Sequence, residues 1–253
     1  MSDAAQDFAG RVALVTGGSR GIGAGTARAL ADRGARVLVS GRDEAALASV
    51  VESIRRTGGQ AIAVAADLTQ PGQVEALKVA AQAAFGPPLL VVACAGGGGP
   101  LKPLVDESLD AWRAAIDRNL TTAFLTLRAF LPAMYEQGQG AIVLMSSSAG
   151  RHLSGASAPY TAAKAGLQAL MRQAASEAAP RGVRINAVAP SAIVTERLAA
   201  QPASVRDEIA RGFPLGRLGE IDDVAAATLF LLSGAAGWIT GVTLDVAGGR
   251  VMV

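Results

Sequence analysis

Seven short apolar runs recur along the chain, each followed by a Gly-rich or polar turn and then by an Ala/Leu-rich segment with helical spacing. The runs lie at residues 12–16, 37–40, 62–65, 89–93, 141–145, 183–188 and 240–246. Most are continuous rather than alternating, which predicts strands buried on both faces. Helices are predicted over residues 22–33, 44–56, 73–85, 109–136, 158–178, 204–211 and 222–232. Gly34, Gly58-Gly59 and Gly182 mark the ends of three of them. Strict alternation of the two periods predicts an α/β fold of Rossmann type: a doubly wound, seven-stranded parallel sheet with helices on both faces. No linker, repeat or low-complexity tract divides residues 1–253, so one domain is expected.

Composition narrows the function classes. Hydrophobic residues make up 51% and charged residues 17%, the opposite of a disordered chain. The sequence pI is about 9.0, yet 23 Lys+Arg against 21 Asp+Glu leave a net charge of only +2. With no basic cluster, a nucleic-acid partner is not expected. The single Cys forbids an intrachain disulfide, which favours a reducing compartment and a cytoplasmic location. The first seven residues are acidic and polar, unlike a signal peptide. Two uncharged stretches, 79–101 and 224–244, look membrane-like at first. The first is broken by Pro87-Pro88 and Gly96-Gly97-Gly98-Gly99, the second by Ser233, Gly234, Gly237 and Gly241. The pieces are too short to span about 30 Å of hydrocarbon, so no membrane partner is expected.

Candidate chemistry starts at the first turn. Between the first strand and Ile22 runs Thr16-Gly17-Gly18-Ser19-Arg20-Gly21-Ile22-Gly23. Glycines there let the backbone approach a pyrophosphate, which the N-terminus of the following helix can then hold. The second strand ends in Gly41-Arg42, where an acid would bind the ribose 2′-hydroxyl of NAD. The acid is absent, and Arg42 with Arg20 could converge on the 2′-phosphate of NADP. NADP(H) is therefore expected over NAD(H). The plainer alternative has Arg42 as a solvated residue ahead of a helix cap at Asp43. Further on, Tyr160 and Lys164 stand one helical turn apart on one face. A nearby ammonium favours the phenolate of a Tyr. The strand before them runs into Ser146-Ser147-Ser148, at the sheet end where such folds bind ligands.

Together these motifs resemble the short-chain dehydrogenase/reductase family, and the likeness covers nearly the whole chain, from about Gly10 to Met252. It rests on Thr-Gly-x-x-x-Gly-x-Gly at residues 16–23, Tyr-x-x-x-Lys at 160–164, Ser147 thirteen residues before Tyr160, Asn119, Asp67-Leu68, and Asn186-Ala-Val-Ala-Pro190 with Thr195. The resemblance implies Asn119, Ser147, Tyr160 and Lys164 as the catalytic set. It implies Gly17, Ser19, Arg20, Gly21, Ile22, Gly23, Arg42, Asp67, Leu68, Ala95, Gly96, Pro190, Ile193 and Thr195, with Tyr160 and Lys164, as the cofactor site. Ser147 would bond the substrate carbonyl and Tyr160 would donate the proton. Lys164 would lower the Tyr160 pKa and hold the ribose, and Asn119 would anchor a relay water. The implied activity is reduction of a ketone or 3-oxo compound to a secondary alcohol, in reversible fashion. Alternatives are a 3-oxoacyl reductase acting on carrier-protein or CoA substrates, an NAD-dependent alcohol dehydrogenase, and a non-catalytic sensor or scaffold. The implied partners are a small-molecule carbonyl or alcohol substrate and three further copies of the chain in a homotetramer, with the apolar tail 251–253 covered by a neighbour.

The chain departs from the family pattern at Ala93-Cys94-Ala95-Gly96, where Asn-Asn-Ala-Gly is usual, at Ser191 in place of Gly, and at Ala247 in place of an acid. Cys94 reads as a small buried filler. A substrate lid is expected at about 191–218, presenting Ile193, Leu198, Phe213 and Leu215. A second wall is expected from Arg151, His152 and Leu153 in loop 150–159. No residues have metal-ligand spacing, and no metal is expected.

Overall fold

The computed structural model describes residues 7–252, so residues 1–6 of the acidic start and Val253 of the apolar tail lie outside the described residues. Seven strands form one sheet: β1 (Val12–Thr16), β2 (Arg36–Gly41), β3 (Gln60–Ala65), β4 (Leu90–Ala93), β5 (Gly140–Met145), β6 (Val183–Pro190) and β7 (Thr243–Val246). Their order is β3-β2-β1-β4-β5-β6-β7, and every pairing is parallel.

The pleat sends alternate residues into two apolar layers. From β1, Ala13 and Val15 pack with Ala27 and Leu30 of α1 (Gly21–Asp32), Leu47 and Val50 of α2 (Glu44–Arg56), and a helix near the C-terminus. Val12 and Leu14 face the other way. They join the layer of Leu77 from α3 (Pro71–Phe85), Phe130 and Met134 from α5 (Thr122–Gln137), and Leu167 and Met171 from α6 (Ala158–Ala178). Each fully buried side chain of this size contributes about 1.5–3 kcal/mol relative to exposure. A charge in place of Leu14 or Val15 would therefore open the sheet from its centre.

Three elements differ from expectation. The helix expected over 109–136 is divided into α4 (Leu109–Ile116), a π turn (Asp117–Thr121) and α5. Within the π turn, Thr122 N–H bonds the Asp117 carbonyl, one residue further back than in an α-helix. The last strand begins at Thr243 rather than 240, because the 240–242 segment turns and is tied to β6. The Thr240 hydroxyl accepts from Ile185 N at 3.1 Å, and Asn186 Oδ1 accepts from Val242 N at 3.1 Å. Segment 191–218 holds two helices, α7 (Glu196–Ala199) and α8 (Ala203–Arg211), and precedes α9 (Ile221–Leu232). Its root is tied down by Val194 N–H to Gly219 O at 2.8 Å and by Gly219 N–H to Ala192 O at 3.1 Å.

The chain leaves β1 toward β2 on one side, and later returns to β4 on the other. This reversal opens a crevice beyond the C-terminal ends of the strands.

Candidate active site

A cleft of about 1520 Å³ occupies that crevice, reached by the ends of β1, β2, β4, β5 and β6. Every residue expected at the cofactor site lines it, as do Ser147, Tyr160 and Lys164.

The first turn is shaped for close approach. Gly17 has φ +64°, and a Cβ there would stand 2.7 Å from Ala95 N. Gly21 has φ +54°, and a Cβ on Gly23 would run into the Gly17 carbonyl. Arg20, ahead of α1, supplies no side-chain cap. The N-terminus of α1 instead receives a carboxylate from α7, with Glu196 Oε1 accepting from Gly21 N at 3.3 Å. An anion is thus already drawn to the place where a helix dipole and free N–H groups favour negative charge. The bare backbone of this turn fits the pyrophosphate of a dinucleotide.

At the end of β2 the arginines do not converge. Arg20 is paired with Asp43, which also caps α2 by accepting from Ala46 N at 3.0 Å. Parallel pairing of β1 with β2 brings these residues together across 23 positions of sequence. Arg42 is exposed at the cleft edge. Asp67 accepts from Thr69 N at 3.0 Å and Thr69 Oγ1 at 2.8 Å, and these bonds, with the Arg42 charge, hold its carboxyl below the usual range.

The remaining groups meet where β5 runs into α6. Lys164 is buried, and its Nζ donates to Met145 O at 2.7 Å. Burial pushes its pKa down to about 8. Burial also holds the Tyr160 phenol above its ordinary value, partly offset by a hydrogen bond with the Ser147 hydroxyl and by the Arg197 charge. The Lys164 ammonium stands 5.7 Å from the centroid of the Tyr160 ring while bound to the strand carbonyl. Asn119 is likewise committed: Nδ2 donates to Gly97 O at 3.1 Å and Ala115 O at 2.9 Å, while Oδ1 accepts from Gly97 N at 2.9 Å. The side chain clamps the loop after β4 to the π turn, and both amide hydrogens are used. Gly96 lies between the two, since a Cβ there would be 2.6 Å from Asn119 Oδ1 and 3.3 Å from Lys164 Nζ. Packing pushes the Cys94 thiol up to about 11, so it is neutral at pH 7.

The expected substrate walls move. Arg151 pairs with Asp245 at 3.0 Å, and His152 Nδ1 lies 2.9 Å from Ser148 O. Neither lines the cleft, and neither does the exposed Leu153. Phe213 and Leu215 line a separate cavity of about 390 Å³ beside the last strand, while Ile193 borders both spaces. Leu198 is half-buried and lines neither.

A family model described as enoyl-(acyl carrier protein) reductase matches residues 17–250, a span holding both the glycine turn and the Tyr160–Lys164 pair. The chain belongs to the short-chain dehydrogenase/reductase family. It is 43% identical to cis-4-hydroxycyclohexanecarboxylate dehydrogenase of Sinomonas cyclohexanicum, covering 97% of this chain and 98% of that one. It is 38% identical to 2,3-dihydroxy-2,3-dihydro-p-cumate dehydrogenase of Pseudomonas putida, over 100% and 99% of the two chains. A short-chain type dehydrogenase/reductase from Mycobacterium ulcerans superposes with a TM-score of 0.92 at 34% identity, over 96% and 90% of the chains. As a short-chain dehydrogenase/reductase, the protein is an oxidoreductase that uses a nicotinamide cofactor.

Sequence reasoning missed three residues of this oxidoreductase site. Gln168 donates to Ser146 Oγ at 2.8 Å and fixes the end of β5. Its signal was present, because Gln168 follows Lys164 by one helical turn on the face of Tyr160. Glu196 and Arg197 had no such signal, since α7 is a single turn within an aperiodic segment.

Proposed function

We propose that the protein reversibly interconverts a ketone and a secondary alcohol, with NADP(H) as cofactor. The observation that carries the reading is the gathering of Ser147, Tyr160 and Lys164 in one cleft with the glycine turn. A bound nicotinamide supplies the hydride in reduction and accepts it in oxidation. Gly17 to Gly23 present backbone to the pyrophosphate, Asp67-Leu68 and Ala95-Gly96 border the adenosine side, and Pro190, Ile193 and Thr195 border the nicotinamide side. Ser147 donates its hydroxyl hydrogen to the substrate oxygen and orients it. Tyr160 gives that oxygen its phenolic proton as the carbon is reduced, and takes it back in oxidation. A phenol held above its ordinary pKa stays protonated at pH 7, which suits reduction. Lys164, protonated below about pH 8, supplies positive charge beside the Tyr160 ring, 5.7 Å from its centroid. Asn119 holds the loop after β4 in place.

The substrate class we favour is a cyclic alcohol or ketone, since the relatives above are named for hydroxylated rings. The carrier-protein reading is weaker. The turn after α5 offers no cation to an acidic carrier, and Arg181 is stacked on Tyr135 at 5.0 Å. The reading includes a homotetramer, supported by exposed Trp112 and Phe124 on α4 and α5 and by Phe230 and Trp238 near β7. NAD(P)H consumption with a panel of cyclic ketones tests the activity. Tyr160→Phe is expected to lose at least about 100-fold in kcat with cofactor affinity unchanged, because only proton transfer needs the phenol. A variant keeping a tenth of the rate would refute the role of Tyr160.

A further inference from the structure

We propose that Arg197 is the substrate-recognition residue and that the substrate carries a carboxylate, on a ring whose alcohol or ketone carbon is the one that reacts. This rests on the hydride-transfer reading above. Arg197 stands on α7 and lines the same cleft as Ser147 and Tyr160. Its charge reaches the phenol, where it favours the ionised form.

Among the described residues no carboxylate stands within ion-pair distance of its guanidinium. The adjacent acid, Glu196, is turned away to Gly21 N. The other cations of the cleft have different stations. Lys164 is bound to the Met145 carbonyl, and Arg20 to Asp43. Arg42 stands by Asp67 at the far end. Arg118, in the π turn between α4 and α5, likewise has no carboxylate partner among the described residues, but it is Arg197 whose charge reaches the phenol. Arg197 is exposed, and its guanidinium, in the same cleft as the proton donor, has the planar fork that matches a carboxylate. The recognition lies on the lid segment, so an acid substrate would also fix α7 over the reacting carbon.

Wild type, Arg197→Gln and Arg197→Lys are to be compared on 4-oxocyclohexanecarboxylate, its ethyl ester and cyclohexanone. Nucleotide fluorescence is to report cofactor affinity and the binding of cyclohexanecarboxylate to the enzyme–cofactor complex. Wild type should prefer the acid to the ester by at least about tenfold in kcat/KM. Arg197→Gln should lose roughly 10- to 100-fold on the acid, mainly in KM, and no more than about threefold on the ester. Arg197→Lys should recover part of the loss, and cofactor affinity should hold in both variants. Equal losses on acid and ester, or weaker cofactor binding, overturn the proposal and assign Arg197 to the cofactor or to the fold. Wild type that reduces ester and cyclohexanone as well as the acid overturns it while leaving hydride transfer intact. If none of the three is reduced, binding of cyclohexanecarboxylate decides. Tighter binding to wild type than to Arg197→Gln sustains the anion site, whereas equal or absent binding overturns it. The wider ketone panel judges hydride transfer separately.

Discussion

Cofactor choice turns on three neighbours at the end of β2, and the structure allows them to be exchanged cleanly. The perturbation is Gly41→Asp with Arg42→Ala. A Cβ at Gly41 would meet Ser19 Oγ at 3.6 Å, Ser19 Cβ at 3.7 Å and Leu47 Cδ2 at 3.8 Å, all ordinary contacts, so the strand end accepts a side chain. Arg42 is exposed at the cleft edge, so its removal leaves no cavity. A charge-assisted bond to a 2′-phosphate is worth about 1.5–3 kcal/mol, so on the proposed reading wild type should prefer NADPH by roughly 10- to 100-fold. The double variant removes that attraction. Its new carboxylate also repels the phosphate and accepts from the ribose hydroxyl of NADH. The ratio of kcat/KM for NADPH over NADH should fall by about 100-fold or more, past unity.

Arg20 supplies an internal control. Its partner Asp43 both neutralises it and caps α2. Asn caps a helix as well as Asp does, so Asp43→Asn keeps the cap while releasing Arg20 toward the phosphate. The NADPH preference should then rise roughly two- to fivefold and shrink again as salt is raised, because these charges face solvent. The assay is kcat/KM for both cofactors at low and moderate ionic strength. Wild type that uses NADH equally well or better would refute the assignment and leave Arg42 as a solvated residue ahead of a helix cap.

Glu196→Gln should tighten cofactor binding by roughly threefold or more in a fluorescence titration, because the carboxylate on Gly21 N opposes the pyrophosphate. Weaker binding would show that Glu196 assists the cofactor. In the pH profile, kcat/KM for alcohol oxidation should rise from pH 6 to 9 while reduction stays level or falls, since a phenol raised by burial must ionise before it can accept a proton; the opposite slopes would remove Tyr160 as the proton carrier. Lys164 in the cofactor-free protein has a pKa of about 8 against 10.5 unfolded, so the unfolded chain binds more protons between those values and stability gains with pH there. The Tm of wild type should climb relative to that of Lys164→Met across this window, and parallel curves would mean that burial does not lower the Lys164 pKa.

How far the sequence exposes such a protein depends on the range of the interactions that shape each part. The helices over residues 44–56 and 158–178 are legible to the residue, because their apolar spacing and their start signals, the Asp43 cap of one and Pro159 in the first turn of the other, are local. The glycine turn is legible for the same reason: backbone clearance at Gly17 and Gly23 is a property of one short loop. The π turn is not legible, since it serves a bond from Asn119 to Gly97, 22 residues earlier. Nor is the Arg20–Asp43 pair, which exists only because β1 and β2 lie side by side. Glu196 meets Gly21 across 175 positions. In this fold the sheet and its turns must be locally consistent to form at all, so they leave a periodic trace. The segment between β6 and α9 is held at its root by few backbone bonds and follows no period. The chemistry proposed for Ser147 and Tyr160 is written in local motifs, whereas the selectivity proposed for Arg197 depends on where one helical turn comes to rest.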